Sequence, residues 1–211
     1  MQRNHRLSLW AAALLAACWL SALARGTETS HEYAPLQAAK LNYKDWTYPA
    51  LDGGDINLRA WAADKKLVLV AYFAPWCGNW RDEAEVLARL HAKYRAKGLG
   101  IIAVNEYGTA AEARAFFGPA GPPYPVAIES EDRAKVGETS HALYRRLTGD
   151  FRNYGSPYNV FIEAAAMTKT GETLAERVTV ANGELIEAEA EAFIREKLGL
   201  PKVSPAEEAL P

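Results

Sequence analysis

Cys77 is the residue whose type and position most directly offer chemistry. It lies in Val68-Leu69-Val70-Ala71-Tyr72-Phe73-Ala74-Pro75-Trp76-Cys77-Gly78-Asn79-Trp80, which runs on into Arg81-Asp82-Glu83-Ala84. Val68 to Phe73 contain no turn former and read as a buried strand, whereas the apolar spacing after Pro75 becomes helical. A thiol at a strand-to-helix junction meets the unpaired N–H groups and the positive dipole end of the helix. These stabilise a thiolate, the nucleophilic form, by about 0.3 to 2 kcal/mol. Attack on a disulfide is the chemistry such a sulfur can do, with peroxide reduction as a formal second option.

Several elements must position that sulfur. The strand is expected over Lys66 to Phe73, after a brief helix from Arg59 to Asp64 and a short strand pair around Gly53-Gly54, between Tyr48 and Leu58. The helix after it is expected over Cys77 to Lys97, because Trp80, Ala84, Leu87, Leu90 or His91, and Tyr94 recur at helical spacing and Gly98 and Gly100 end it. A second buried strand follows at Ile101 to Val104. Thr109 caps a helix through Phe117, with Glu112 completing a capping box. Gly118-Pro119-Ala120-Gly121-Pro122-Pro123 is a rigid turn and lacks the Lys of a phosphate loop. Tyr124 to Ile128 reads as a third strand, Ser140 to Leu147 as a helix, Tyr158 to Ile162 and Leu174 to Val180 as an antiparallel pair, and Glu184 to Leu198 as the last helix. The order is βαβαβαββα.

Ala71-Tyr72-Phe73-Ala74-Pro75-Trp76-Cys77-Gly78 resembles the active-site strand and helix start of thioredoxin-like proteins. The rest of the chain is more similar to the exported TlpA and ResA kind than to cytosolic thioredoxin. The resemblance covers Tyr48 to Leu198 and implies an α/β thioredoxin-like fold: a central mixed sheet flanked by helices, with an N-terminal β extension. It also implies thiol–disulfide exchange with protein thiols or disulfides, or with small thiols such as glutathione. Where the family has its second cysteine this chain has Trp80, so C-x-x-C has become C-x-x-W and an intrachain dithiol cycle is lost.

Gly155-Ser156-Pro157 matches the family's Gly-x-Pro, whose proline is cis and lies beside the nucleophilic sulfur. Its bland alternative is an ordinary Gly-Pro turn. By the same resemblance Ser156 offers backbone to an extended substrate. Trp76 and Trp80 are assigned as groove walls. Glu83, six residues after Cys77, coincides with a glutamate of ResA-like proteins implicated in proton movement. It falls about 60 degrees around the helix from Trp80, at the edge of the buried face, where desolvation raises a carboxyl pKa. A solvated surface glutamate is the alternative. The buried acid of cytosolic thioredoxin, six residues before its cysteine, is Ala71 here. A peroxiredoxin pattern needs Pro and Thr where Val70 and Ala74 stand, and is set aside. The rival class is a binding module that kept the scaffold and lost redox function, with Trp80 shielding an inert sulfur.

Residues 1–24 read as a secretory signal: Arg3, His5 and Arg6 precede an apolar run that ends in Ala22-Leu23-Ala24. Leu15-Ala16-Ala17-Cys18 offers lipidation at Cys18 instead, and an uncleaved anchor is the third reading. All three export the domain, with the periplasm as the expected compartment and any membrane attachment confined to this end. Residues 25–47 are expected as a lead-in, 48–198 as the domain and 199–211 as a flexible tail. The 211 residues include two cysteines, so a mature chain keeps Cys77 alone and has no structural disulfide. Without Arg3 and Arg6, 22 basic residues face 26 acidic ones, and no basic block appears, which argues against nucleic acid. His91 and His141 form no ligand cluster with Cys77 in sequence, so neither a metal nor a cofactor is expected.

Overall fold

The computed structural model describes residues 31–202. The leader, Cys18 and the end of the tail lie outside the described residues, and so do the three readings placed on that leader. Among the described residues no helix is long and apolar enough to cross a membrane.

Two strands dominate the centre because they are apolar on both faces. β5 (Leu67–Phe73) and β6 (Leu99–Asn105) are buried along their whole lengths, as expected of strands covered by helices on both sides. They pair in parallel, and β7 (Val126–Ile128) extends the parallel set. On the other side β8 (Tyr158–Glu163) runs antiparallel to β5, and β9 (Thr173–Ala181) antiparallel to β8. With β2 (Gln37–Lys44) on β9, the six-stranded mixed sheet has the order β2-β9-β8-β5-β6-β7.

Alternate residues of β5 face different helices. Leu67, Leu69, Ala71 and Phe73 pack with Trp80, Leu87, Leu90 and Tyr94 of α2 (Gly78–Tyr94), Ala113 of α3 (Ala110–Phe117) and Ala190 and Ile194 of α5 (Glu187–Lys197). Val68, Val70 and Tyr72 pack with Leu58 and Ala62 of α1 (Leu58–Ala62) and with Tyr144 of α4 (Ser140–Leu147). From β5 to α5 the order is the βαβαβαββα expected, except that one further two-residue strand stands before the last helix. The capping box is present: Thr109 Oγ1 accepts from Glu112 N–H at 3.1 Å, and Glu112 Oε2 accepts from Thr109 N–H at 2.7 Å. Short strands β3 (Thr47–Pro49) and β4 (Asp55–Asn57) flank Gly53 and Gly54.

The structure corrects the two ends. Within the segment read as lead-in, β2 turns Leu41 and Tyr43 inward and Lys40, Asn42 and Lys44 outward. The alternation is short, holding over Lys40 to Lys44 alone, and a bulge with Asn42 at φ 49° shifts the pairing with β9 between Lys40 and Tyr43. The bulge and the outward lysines also blunt this exposed sheet edge. At the other end Glu184 does not begin the last helix. β10 (Glu184–Leu185) pairs in parallel with β1 (Tyr33–Ala34), and α5 starts at Glu187. A chain beginning at residue 48 loses buried Leu41, Tyr43 and Trp46 and uncovers β9. At about 1.5 kcal/mol or more for each buried side chain, it should be at least about 4 kcal/mol less stable in denaturant unfolding than a chain beginning at residue 31. Equal stability would remove β2 from the folded unit.

Candidate active site

Cys77 is the N-cap of α2 rather than a member of its first turn, with extended backbone at φ −77° and ψ 129°. Its N–H donates to Ala74 O at 2.9 Å, closing the turn that leads out of β5. The sulfur is half-buried, unpaired, and donates to the backbone carbonyl of Ser156 at 3.3 Å. Ser156 Oγ accepts from Ala74 N–H at 3.0 Å, so one residue of the opposite loop holds both ends of the cysteine turn. The Ser156–Pro157 bond is cis, and β8 begins one residue later. Cys77, Ser156 and Pro157, far apart in sequence, thus meet at one point.

Trp80 does not wall a groove. It is fully buried, with its ring stacked on Phe73 at 4.3 Å between centroids and tilted against Phe116 at 6.1 Å. Position 80 is one turn of helix beyond the N-cap and faces the sheet. An indole there gains apolar burial that a rim position would forgo. Helical spacing already placed Trp80 on the apolar face, and that signal outranks its neighbourhood to the cysteine.

Trp76 does lie at the rim, 37% exposed. Its Nε1–H donates to Tyr107 O at 3.0 Å, its edge meets Tyr154 at 4.8 Å, and the Arg133 guanidinium lies over its ring at 4.6 Å. Arg133 donates to the same Tyr107 carbonyl at 3.2 Å. The loop after β6 approaches the cysteine turn so closely that a Cβ on Gly108 would lie 2.3 Å from Pro75 Cγ.

The Asp150–Ser156 loop is held from below by α4. His141 is wholly buried between Tyr72, Tyr107 and Tyr158, and burial, aided by the nearby Arg145 charge, pushes its pKa well below the usual value. It is therefore neutral. Gly155 O can only accept, so His141 Nε2–H donates to it at 3.2 Å, and Nδ1 lies 3.2 Å from the Tyr107 hydroxyl, which also reaches Val136 O at 3.2 Å. Arg145, also buried, donates to Asp150 Oδ2 at 3.0 Å and to Tyr154 O at 2.8 Å. Desolvation pushes the Asp150 carboxyl up, but the Arg152 and Arg145 guanidinium groups more than offset it and hold it well below the carboxylate range. The sequence offers His141 only as a metal ligand without a cluster, and Arg145 carries no signal at all, because nothing local marks a buried Arg whose partner lies in the next loop.

Glu83 is buried rather than solvated. Asn159 Nδ2 donates to its Oε1 at 2.7 Å, and Leu185 N–H to its Oε2 at 2.9 Å. Desolvation outweighs these two donors and raises its pKa to about 8. The carboxyl links α2 to the strand after Pro157 and to β10. A second buried acid was missed: Glu106, directly after β6, is driven well above the carboxylate range by burial and then by Glu129. A lone Glu at a strand end carries no sequence signal of burial.

Gly155 has φ +56°, and a Cβ there would fall 1.8 Å from the Arg145 guanidinium carbon. Gly155→Ala should therefore dislodge the buried Arg145–Asp150 pair and cost about 3 kcal/mol or more in denaturant unfolding; a neutral effect would remove the clamp. Glu83 supplies a pH signature. A folded carboxyl pKa of about 8, above the ordinary 4.5, means that the unfolded chain binds fewer protons between these values. Stability should fall by a few kcal/mol as pH rises through that window, and Glu83→Gln should flatten the slope when unfolding is measured across it.

The family model described as Redoxin matches residues 37–210. No curated protein sequence matches the chain. Among solved structures, the chain is similar to a putative thiol:disulfide interchange protein DsbE from Chlorobium tepidum: 22% identity, TM-score 0.52, covering 81% of this chain and 100% of that one. A thioredoxin family thiol:disulfide interchange protein from Chlorobium tepidum TLS aligns at 17% identity and TM-score 0.54, again covering 81% and 100%. The structure of MTB dsbF aligns at 16% identity and TM-score 0.52, over 75% of this chain and 96% of that one. At these identities the likeness establishes the fold, which is thioredoxin-like. With the family match running from β2 through α5, the chain belongs to the Redoxin family.

Proposed function

We propose that this chain is an exported, periplasmic thiol–disulfide exchange protein that works through one sulfur. The observation that carries the reading is the half-buried Cys77 thiol at a helix N-cap, facing the Ser156–Pro157 loop, with position 80 occupied by a buried indole. The Cys77 thiolate attacks one sulfur of a disulfide R–S–S–R′. The Cys77–S–S–R bond forms as the R–S–S–R′ bond breaks, and R′–S⁻ leaves with the electron pair. Trp80 cannot resolve this adduct, so a second thiol from outside must attack it, regenerate Cys77 and carry R away as a new disulfide. Protein disulfides, or the mixed disulfide of a small thiol such as glutathione, fit that requirement.

In this reading Ser156 and Pro157 are positioning residues that set the approach of an extended substrate, and Trp76 is the exposed aromatic rim. Glu83 serves as a proton carrier to the site, its raised pKa keeping a proton available near neutrality. The leader Met1–Ala24 supports export, by cleavage after Ala24, with Cys18 lipidated, or as an uncleaved anchor.

The test is capture. The wild-type chain incubated with oxidised glutathione should add one glutathione to Cys77, seen by mass. Reduced glutathione in excess should release it, and Cys77→Ser should add none. Alkylation of Cys77 in the folded protein should likewise be fast compared with that of the unfolded chain. If the folded thiol reacts with neither reagent until the protein unfolds, exchange is excluded and the redox-inactive binding module takes its place.

A further inference from the structure

Away from the cysteine, three chemistry-bearing side chains from three distant segments meet at the base of α2. We propose that His31, Asp82 and Glu184 form a binding site for one divalent transition-metal ion of the zinc class. One ligand atom of each lies within 4.8 Å of the others, and among the described residues this is the one such group of His, Cys and carboxylate side chains. His31 Nδ1 is 2.9 Å from Glu184 Oε2 and 3.8 Å from Asp82 Oδ2. Donors about 2.1 Å from a zinc ion with those separations subtend roughly 90° and 130° at it, on either side of the tetrahedral angle, so Asp82 must move closer by a few tenths of an ångström for tetrahedral geometry. Imidazole with two carboxylate oxygens is also a donor set that zinc accepts.

The site is built rather than a chance meeting of surface charges. The Glu184 side chain is 2% exposed, and its other oxygen, Oε1, accepts from Glu32 N–H at 2.7 Å, which aims Oε2 at the shared point. Such outer hydrogen bonding is what orients metal-ligating carboxylates. The His31 ring is set by stacking on Tyr33 at 5.1 Å and 12°. Asp82 is half-exposed on α2 and free to close the remaining few tenths of an ångström. The cleft beside them, about 510 Å³ and lined by His31, Tyr33, Asp82 and Glu85 among others, gives an entry path and room for water in the open positions. A bound ion would join the segment before β1, β10 and the helix that Cys77 caps, five residues before Asp82.

The inference does not depend on Cys77 chemistry, and its test removes that sulfur as a competing ligand. The full chain carrying Cys18→Ser and Cys77→Ser, stripped of metal, is titrated with Zn²⁺ alone by calorimetry, beside the same chain with His31→Ala or Asp82→Asn. Both added substitutions fall at half-exposed side chains, so folding is retained. The expected result is one equivalent bound by the parent and at least about tenfold weaker binding in each variant. No uptake by the parent, or unchanged affinity in either variant, overturns the site.

Discussion

Ser156 is the hinge pin of this site, because its two oxygens tie together pieces of chain nearly 80 residues apart. Its hydroxyl accepts the Ala74 amide and its carbonyl accepts the Cys77 thiol. Each bond is worth about 1 kcal/mol net, less than what supports it: the carbonyl direction is set by the loop conformation, and the loop is set by what lies beneath. His141 fixes Gly155 O, and Arg145 fixes Tyr154 O and Asp150. A buried ion pair of this kind adds little to net stability. Its effect is specificity of shape, since an unpaired Arg145 in the core is far costlier than any alternative loop conformation is favourable.

The sheet supplies the other half of the constraint. β5 is apolar on both faces, so helices must cover it from both sides, and the chain leaving its end has to turn abruptly into α2. The cysteine is carried to that turn whatever its own preferences. The same logic buries Glu83: α2 lies flat on the sheet, and a carboxyl on its inward edge has only Asn159 and Leu185 as partners.

What was legible in the sequence was local or periodic. The β5 run, the α2 spacing, the Thr109–Glu112 cap and the Gly155-Ser156-Pro157 match all rest on residues within a few positions of each other, and all describe the structure. What was illegible depended on partners elsewhere. β2 alternates over a short stretch only, Lys40 to Lys44, and its partner β9 lies some 135 residues on. Arg145 reads as an ordinary residue of a short helix, and His141 only as a histidine without a ligand cluster. Trp80 shows the converse: its period declared it core, and only its proximity to Cys77 made it look like part of a groove.

The burial of Trp80 bears on how such a chain can change over generations. An ancestor with a sulfur at that position would have lost its second thiol by a single replacement, but the path back is not symmetrical. Phe73 and Phe116 pack against a large indole here, and removing a buried tryptophan leaves a void costing about 3 to 5 kcal/mol. Much of a small domain's entire stability is of that order. Packing therefore acts as a ratchet: regaining the pair would require the neighbouring rings to shrink or shift in concert, and single steps in that direction fall on unfolded protein.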